Sequence, residues 1–179
     1  ALPSSGPKTN ITPPTNQMGI AEPIEPAKVI FWAYLGVVVG DVASGAISQV
    51  VRSRTRTIMA FLAALGACIV LFFAVAPGGP SHFYGMMCLV GAATGYWAIF
   101  VTTASEQFGT NLRATAATSA PNFVRAMAVP ITSIWMAAKP SLGTVPATVT
   151  IGVCCVAIGL LATLALDETF HRDLDYLEH

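Results

Sequence analysis

Two ionisable residues stand far inside apolar stretches, where a charge has to be matched by something. Asp41 lies in the run Val29–Val50 and Arg125 in the run Ala116–Ala137. At about 1.5 Å per helical residue, each sits roughly 14 Å from the nearer polar end of its run, near mid-membrane. An isolated charge there costs at least about 2.5 kcal/mol, so each calls for a partner, water or a ligand of opposite charge. Asn122 shares the helical face of Arg125, and Pro121 and Pro130 open backbone carbonyls nearby. Arg125 and Asn122 can therefore contact an anionic or polar solute or a counter-ion, or be satisfied within a helix bundle. Asp41 has three roles open to it: ion partner of Arg125, titrating carboxylate for proton coupling, or structural acceptor. Tyr96 and Trp97 directly follow Gly91-x-x-x-Gly95. Their rings can stack on a solute, plug a gate or simply pack.

A second constellation is Val50–Thr57, where Arg52, Arg54 and Arg56 supply three of the nine basic residues. A short Arg-rich loop between apolar runs stays in the cytoplasm. Arg113 and Arg172 then also fall inside, whereas Lys8, Lys28 and Lys139 fall outside. The three arginines can contact lipid phosphates, or act as ion-pair partners that hold an inside gate shut, with Glu106 and Arg113 as a second cluster.

These residues are positioned by five expected spans, each near the ~20 residues that cross a bilayer core. The spans are Val29–Val50, Ile58–Ala76, Phe83–Thr103, Ala116–Ala137 and Ala147–Leu166. The first, third and fourth carry polar groups away from their ends and are expected to line an interface or cavity, whereas the second and fifth suit lipid. Gly36, Gly40, Ser44 and Ser48 recur every four residues and make a smooth stripe for close helix contact. Residues 1–26, with six of the twelve prolines, read as an extracytoplasmic arm, 27–166 as the transmembrane bundle and 167–179 as a cytoplasmic tail.

The composition, 54% apolar and 10% charged with a net charge of zero, argues against a soluble domain and against a nucleic-acid partner. Cys68, Cys88, Cys154 and Cys155 lie inside apolar runs without metal-ligand spacing, so no metal site or cofactor is expected. No span holds a histidine and no glycine-rich phosphate loop is present, which speaks against an enzyme.

Gly40-Asp41-x-x-x-Gly45-x-x-x-Gln49-x-x-Arg52-x-Arg54-x-Arg56 resembles the Gly-x-x-x-Asp-Arg-x-Gly-Arg-Arg loop of the major facilitator superfamily in its C-terminal copy. Gln49 stands where the motif's acid would follow Gly45, and the basic cluster is one residue out of register. Glu106-Gln-Phe-Gly-Thr-Asn-Leu-Arg113 resembles the Glu-x-Phe-Pro-x-x-x-Arg loop of sugar-porter-like and organic-ion-porter-like members, with Gly109 for proline. Asp167-Glu168-Thr169 is similar to the Pro-Glu-Thr at the end of the last helix. The resemblance implies an all-α integral membrane fold, with the five spans as helices eight to twelve of a six-helix half bundle. It implies secondary transport, such as symport, of a small solute coupled or not to a proton or other ion. The missing N-terminal helices and the lipid bilayer would be partners, in a plasma or bacterial inner membrane with a cytoplasmic C-terminus. In that reading Asp41, Tyr96, Trp97, Asn122 and Arg125 border the pathway. Gly40, Gly45, Gln49, Arg52, Arg54, Arg56, Glu106 and Arg113 form the cytoplasmic gate. The alternative is a non-transporting multi-span receptor or scaffold, or a degenerate transporter fragment.

Overall fold

The computed structural model describes residues 24–74 and 79–170, and these are helical nearly throughout. In chain order the helices are α1 (Pro26–Val51), α2 (Arg54–Ala74), α3 (Pro80–Ala93), α4 (Trp97–Glu106), α5 (Arg113–Ala126), α6 (Ala128–Leu142) and α7 (Thr144–Leu164). Prolines open α1 and α3, where the absent N–H costs nothing. Gly143, at φ 85°, makes the whole connection between α6 and α7. The Arg-rich connection is shorter than expected. Arg52, at φ 53°, ends α1, Ser53 follows, and Arg54 and Arg56 already belong to α2.

Among the described residues, four helical segments are long and apolar enough to cross a membrane: Pro26–Val51, Arg54–Ala74, Pro80–Glu106 and Thr144–Leu164. The third is interrupted between α3 and α4. The fourth expected span differs from the other four. It is helical, but it divides at Met127 into segments of 14 and 15 residues, neither long enough to cross alone. Pro130 has no N–H to give the Ala126 carbonyl, which weakens the ladder at that point. Bonds from Met127 N to Phe123 O (3.2 Å) and from Ile131 N to Met127 O (3.2 Å) still carry the chain through. The expected arm lies mostly outside the described residues, as does the tail beyond Phe170.

The tightest contact is α1 on α3. Gly36, Gly40, Ser44 and Ser48 are the buried residues of α1, so the predicted stripe is its contact face. A Cβ on Gly36 would strike the Cys88 carbonyl, one on Gly40 the Ala92 carbonyl, one on Gly91 the Ala33 carbonyl and one on Gly95 the Gly40 backbone. The two main chains therefore touch, and dispersion between them replaces side-chain packing. The expectation that polar groups of the first and third spans line a cavity is met only in part, because Ser44 and Ser48 are buried in helix packing.

A second layer pairs α2 with α7. Ile58, Leu62 and Ile99 form a small core where α2, α4 and α7 meet, joined by Tyr96 and Leu160. Helices α5 and α6 contribute no buried residue, and α6 is held to α7 by the Trp135 indole donating to Thr148 Oγ1 at 2.9 Å.

Because backbone opposes backbone, Gly40→Val should destabilise the protein by about 2 kcal/mol or more. Gly45→Ala, which meets nothing within 4 Å, should be neutral or stabilising by up to about 1 kcal/mol. Denaturant unfolding in micelles, followed by circular dichroism, separates the two.

Candidate functional site

The interruption of the third segment builds the first site. Thr94 N reaches both Val90 O and Gly91 O at 3.1 Å, and Gly95 N bonds Ala92 O at 3.1 Å, so the helix tightens by one turn before restarting. A restarted helix presents N–H groups without intrahelical acceptors. Asp41 meets one of them: Ala98 N–H donates to its Oδ1 at 3.4 Å. The side chain is there because Gly95 lies directly on Gly40 and Asp41, with no room for a Cβ between them. Of the three roles weighed for Asp41, the geometry is that of an acceptor, and no ion pair joins it to Arg125.

Arg125 instead lies over the Trp97 ring at 5.9 Å, and its Nη1 approaches Asn122 Oδ1 at 3.5 Å. Trp97 also stacks at a tilt on Phe100, with centroids 5.5 Å apart. Asn122 and Arg125 are exposed, so the guanidinium edge is free to take a further acceptor. Trp97, Asn122 and Arg125 thus form one cluster, with Asp41 one residue along α4 from the indole. Tyr96 turns the other way. It lines a cavity of about 250 Å³ among Ile58, Leu62, Phe100, Thr103 and Gly159.

The Arg-rich end holds the second site. Arg54 Nη1 pairs with Glu106 Oε1 at 2.7 Å, with side chains only 19% and 6% exposed. Ser53 caps α2 by accepting from Arg56 N at 3.2 Å. Its hydroxyl donates to Glu168 Oε2, while Glu168 Oε1 accepts N–H bonds from Arg54 (2.9 Å), Thr169 (3.1 Å) and Phe170 (3.2 Å). Gln107 Nε2 donates to Asp167 O at 2.9 Å. The ends of α1, α2, α4 and α7 are thereby tied together. Partial burial pushes the Glu168 carboxyl up, but the bonds from Ser53, Arg54, Phe170 and Thr55 outweigh it and hold the carboxyl below its usual 4.5.

Of the remaining expected residues, Gly40 packs in the α1–α3 contact, whereas Gly45 and Gln49 make no comparable contact and Gln49 is exposed. Arg52 and Arg56 are exposed and pair with no carboxylate among the described residues. Arg113 opens α5, half-buried, its N–H on Gly109 O at 3.0 Å. Ser53 was outside the expected set, although a serine directly before a helical run is a capping signal. Glu168 had entered only as part of the exit motif. Among the described residues no group of acids, histidines and cysteines could hold a metal.

No protein-family model matches the chain, and no curated protein or solved structure is significantly similar to it.

Two measurements bear on the Arg-rich end. Glu106→Ala alone should cost about 3 kcal/mol by leaving the Arg54 charge buried. Arg54→Ala/Glu106→Ala should cost clearly less than the two single changes summed, in a double-mutant cycle. The Glu168 contribution, from a carboxyl depressed on folding, is fully present above the unfolded value of 4.5 and is lost as pH falls through the lower folded value. The thermal midpoint should therefore drop on acidification below 4.5 in the wild type, and less so in Glu168→Gln.

Proposed function

We propose that the chain forms part of the C-terminal half of a major-facilitator-type secondary transporter, which moves a small solute by alternating access. One observation carries the proposal: the third apolar segment is interrupted at mid-span, and the interruption is flanked by Asp41, Trp97 and Arg125. Broken helices in a bilayer are tolerated where they are buried in protein or line a water-filled cavity, and transporters set substrate and ion sites there.

In this reading the exposed guanidinium of Arg125, backed by Trp97 and oriented by Asn122, binds an anionic or strongly polar group of the solute. Asp41 accepts a single long hydrogen bond, from Ala98 N–H, and makes no ion pair, which leaves its carboxylate open to a coupled cation. The Arg54–Glu106 pair and the Glu168 cap join the inner ends of four helices. They form in the inward-closed arrangement and must part when the cavity opens inward, which gives that state a bias of its own. The three resembling motifs, in family order, and the Arg-rich joint both support a cytoplasmic position for these groups.

In liposomes reconstituted with the full-length transporter, Arg125→Ala should lower solute uptake by at least about tenfold, near 1.4 kcal/mol, with membrane expression unchanged. Undiminished uptake removes Arg125 from the site.

A further inference from the structure

Beneath the Arg-rich joint lies a cavity of about 370 Å³ lined by Val51, Arg52, Ser53, Thr55, Arg56, Met59, Leu166 and Glu168. Its lining has two chemically distinct parts. Arg52 and Arg56 supply guanidinium groups that pair with no carboxylate among the described residues. Val51, Met59 and Leu166 supply an apolar floor that continues into the flanks of α1, α2 and the end of α7.

We propose that this cavity binds one anionic phospholipid, with its phosphate on Arg52 and Arg56 and the first part of an acyl chain along Val51, Met59 and Leu166. The charges balance. Two guanidinium groups and the Glu168 carboxylate leave the cavity with one positive charge, and a monoanionic lipid phosphate cancels it. Glu168 does not compete with the lipid for the arginines, because its two oxygens are taken by Ser53 Oγ and by N–H groups of Arg54, Thr169 and Phe170. Its bonds instead turn the top of α2 so that Arg54 points to Glu106 while Arg52 and Arg56 remain outside.

Arg52 ends α1 in the left-handed backbone of a helix C-cap, and Ser53 alone separates it from α2, so Arg52 and Arg56 line one cavity. The position suits a lipid and not a soluble anion alone, since the arginines sit at the end of two membrane-length helices and the floor is apolar. The cavity shares Arg52, Arg56 and Glu168 with the Arg-rich joint, but the inference does not require transport, because it uses neither Asp41 nor Arg125.

The test is native mass spectrometry of the full chain in detergent, titrated with phosphatidylglycerol or with phosphatidylcholine carrying the same acyl chains. One phosphatidylglycerol per chain should bind roughly tenfold more tightly than phosphatidylcholine, and added salt should weaken it. Arg52→Gln/Arg56→Gln should bring the two lipids level, Arg52→Lys/Arg56→Lys should keep most of the preference, and Lys28→Gln at the far end of α1 should leave the preference unchanged. Inorganic phosphate in excess should fail to displace the lipid. Equal affinity of wild-type protein for the two lipids overturns the proposal without any variant. So does full displacement by inorganic phosphate, which would make the site one for free anions. A preference for phosphatidylglycerol that survives in the double Gln variant overturns the assignment to these arginines.

Discussion

The contact on which the rest of the molecule depends is glycine against backbone between α1 and α3. In a bilayer, lipid would provide no hydrophobic drive for these helices to associate, and dispersion at close approach with a few hydrogen bonds would have to do so. Gly36, Gly40, Gly91 and Gly95 bring two main chains to a distance at which no Cβ fits. The consequence extends beyond adhesion. Gly95 crosses α1 at the turn where the third segment tightens and restarts, and this crossing delivers the Asp41 carboxylate to the freed N–H of Ala98. A larger residue on either side would separate the helices and leave both the carboxylate and the helix start without partners.

The Arg-rich end obeys a different constraint. Arginines in the first turn of a helix oppose the positive end of its dipole, and α2 begins with Arg54 and Arg56. Two acids distant in sequence offset this. Glu106 neutralises Arg54, and Glu168 accepts the N–H of Arg54 and the hydroxyl of Ser53. The helix start is therefore stabilised by the ends of α4 and α7 as well as by its own Ser53 cap. This is also why three arginines of similar appearance end in different situations, one buried in an ion pair and two at the surface.

Four of the five expected apolar segments were readable from run length, and the contact face of α1 from its four-residue spacing of small side chains. Such patterns are local, and helical geometry alone converts them into faces. The partner of Asp41 was not readable, since it depends on where Gly95 meets Gly40 across two helices. Depth alone made Arg125 a plausible partner, yet Arg125 rests on Trp97. Glu168 escaped for a related reason, as 115 positions separate it from Ser53. The division of the fourth segment followed from Pro130, whose missing N–H was weighed for what it opens nearby and not for how it divides the helix.

Helix α5 places its own demand on how the chain enters a bilayer. It carries Thr115, Thr118, Ser119, Asn122 and Arg125 within one short stretch, and it buries none of them. A segment of that composition gains too little from leaving water to partition into lipid unaided. Its neighbours on the C-terminal side are far more apolar, and the single-glycine joint at Gly143 with the Trp135–Thr148 bond makes α6 and α7 a compact hairpin. In a bilayer, insertion of α5 would thus be a collective event, carried by the favourable partitioning of that hairpin.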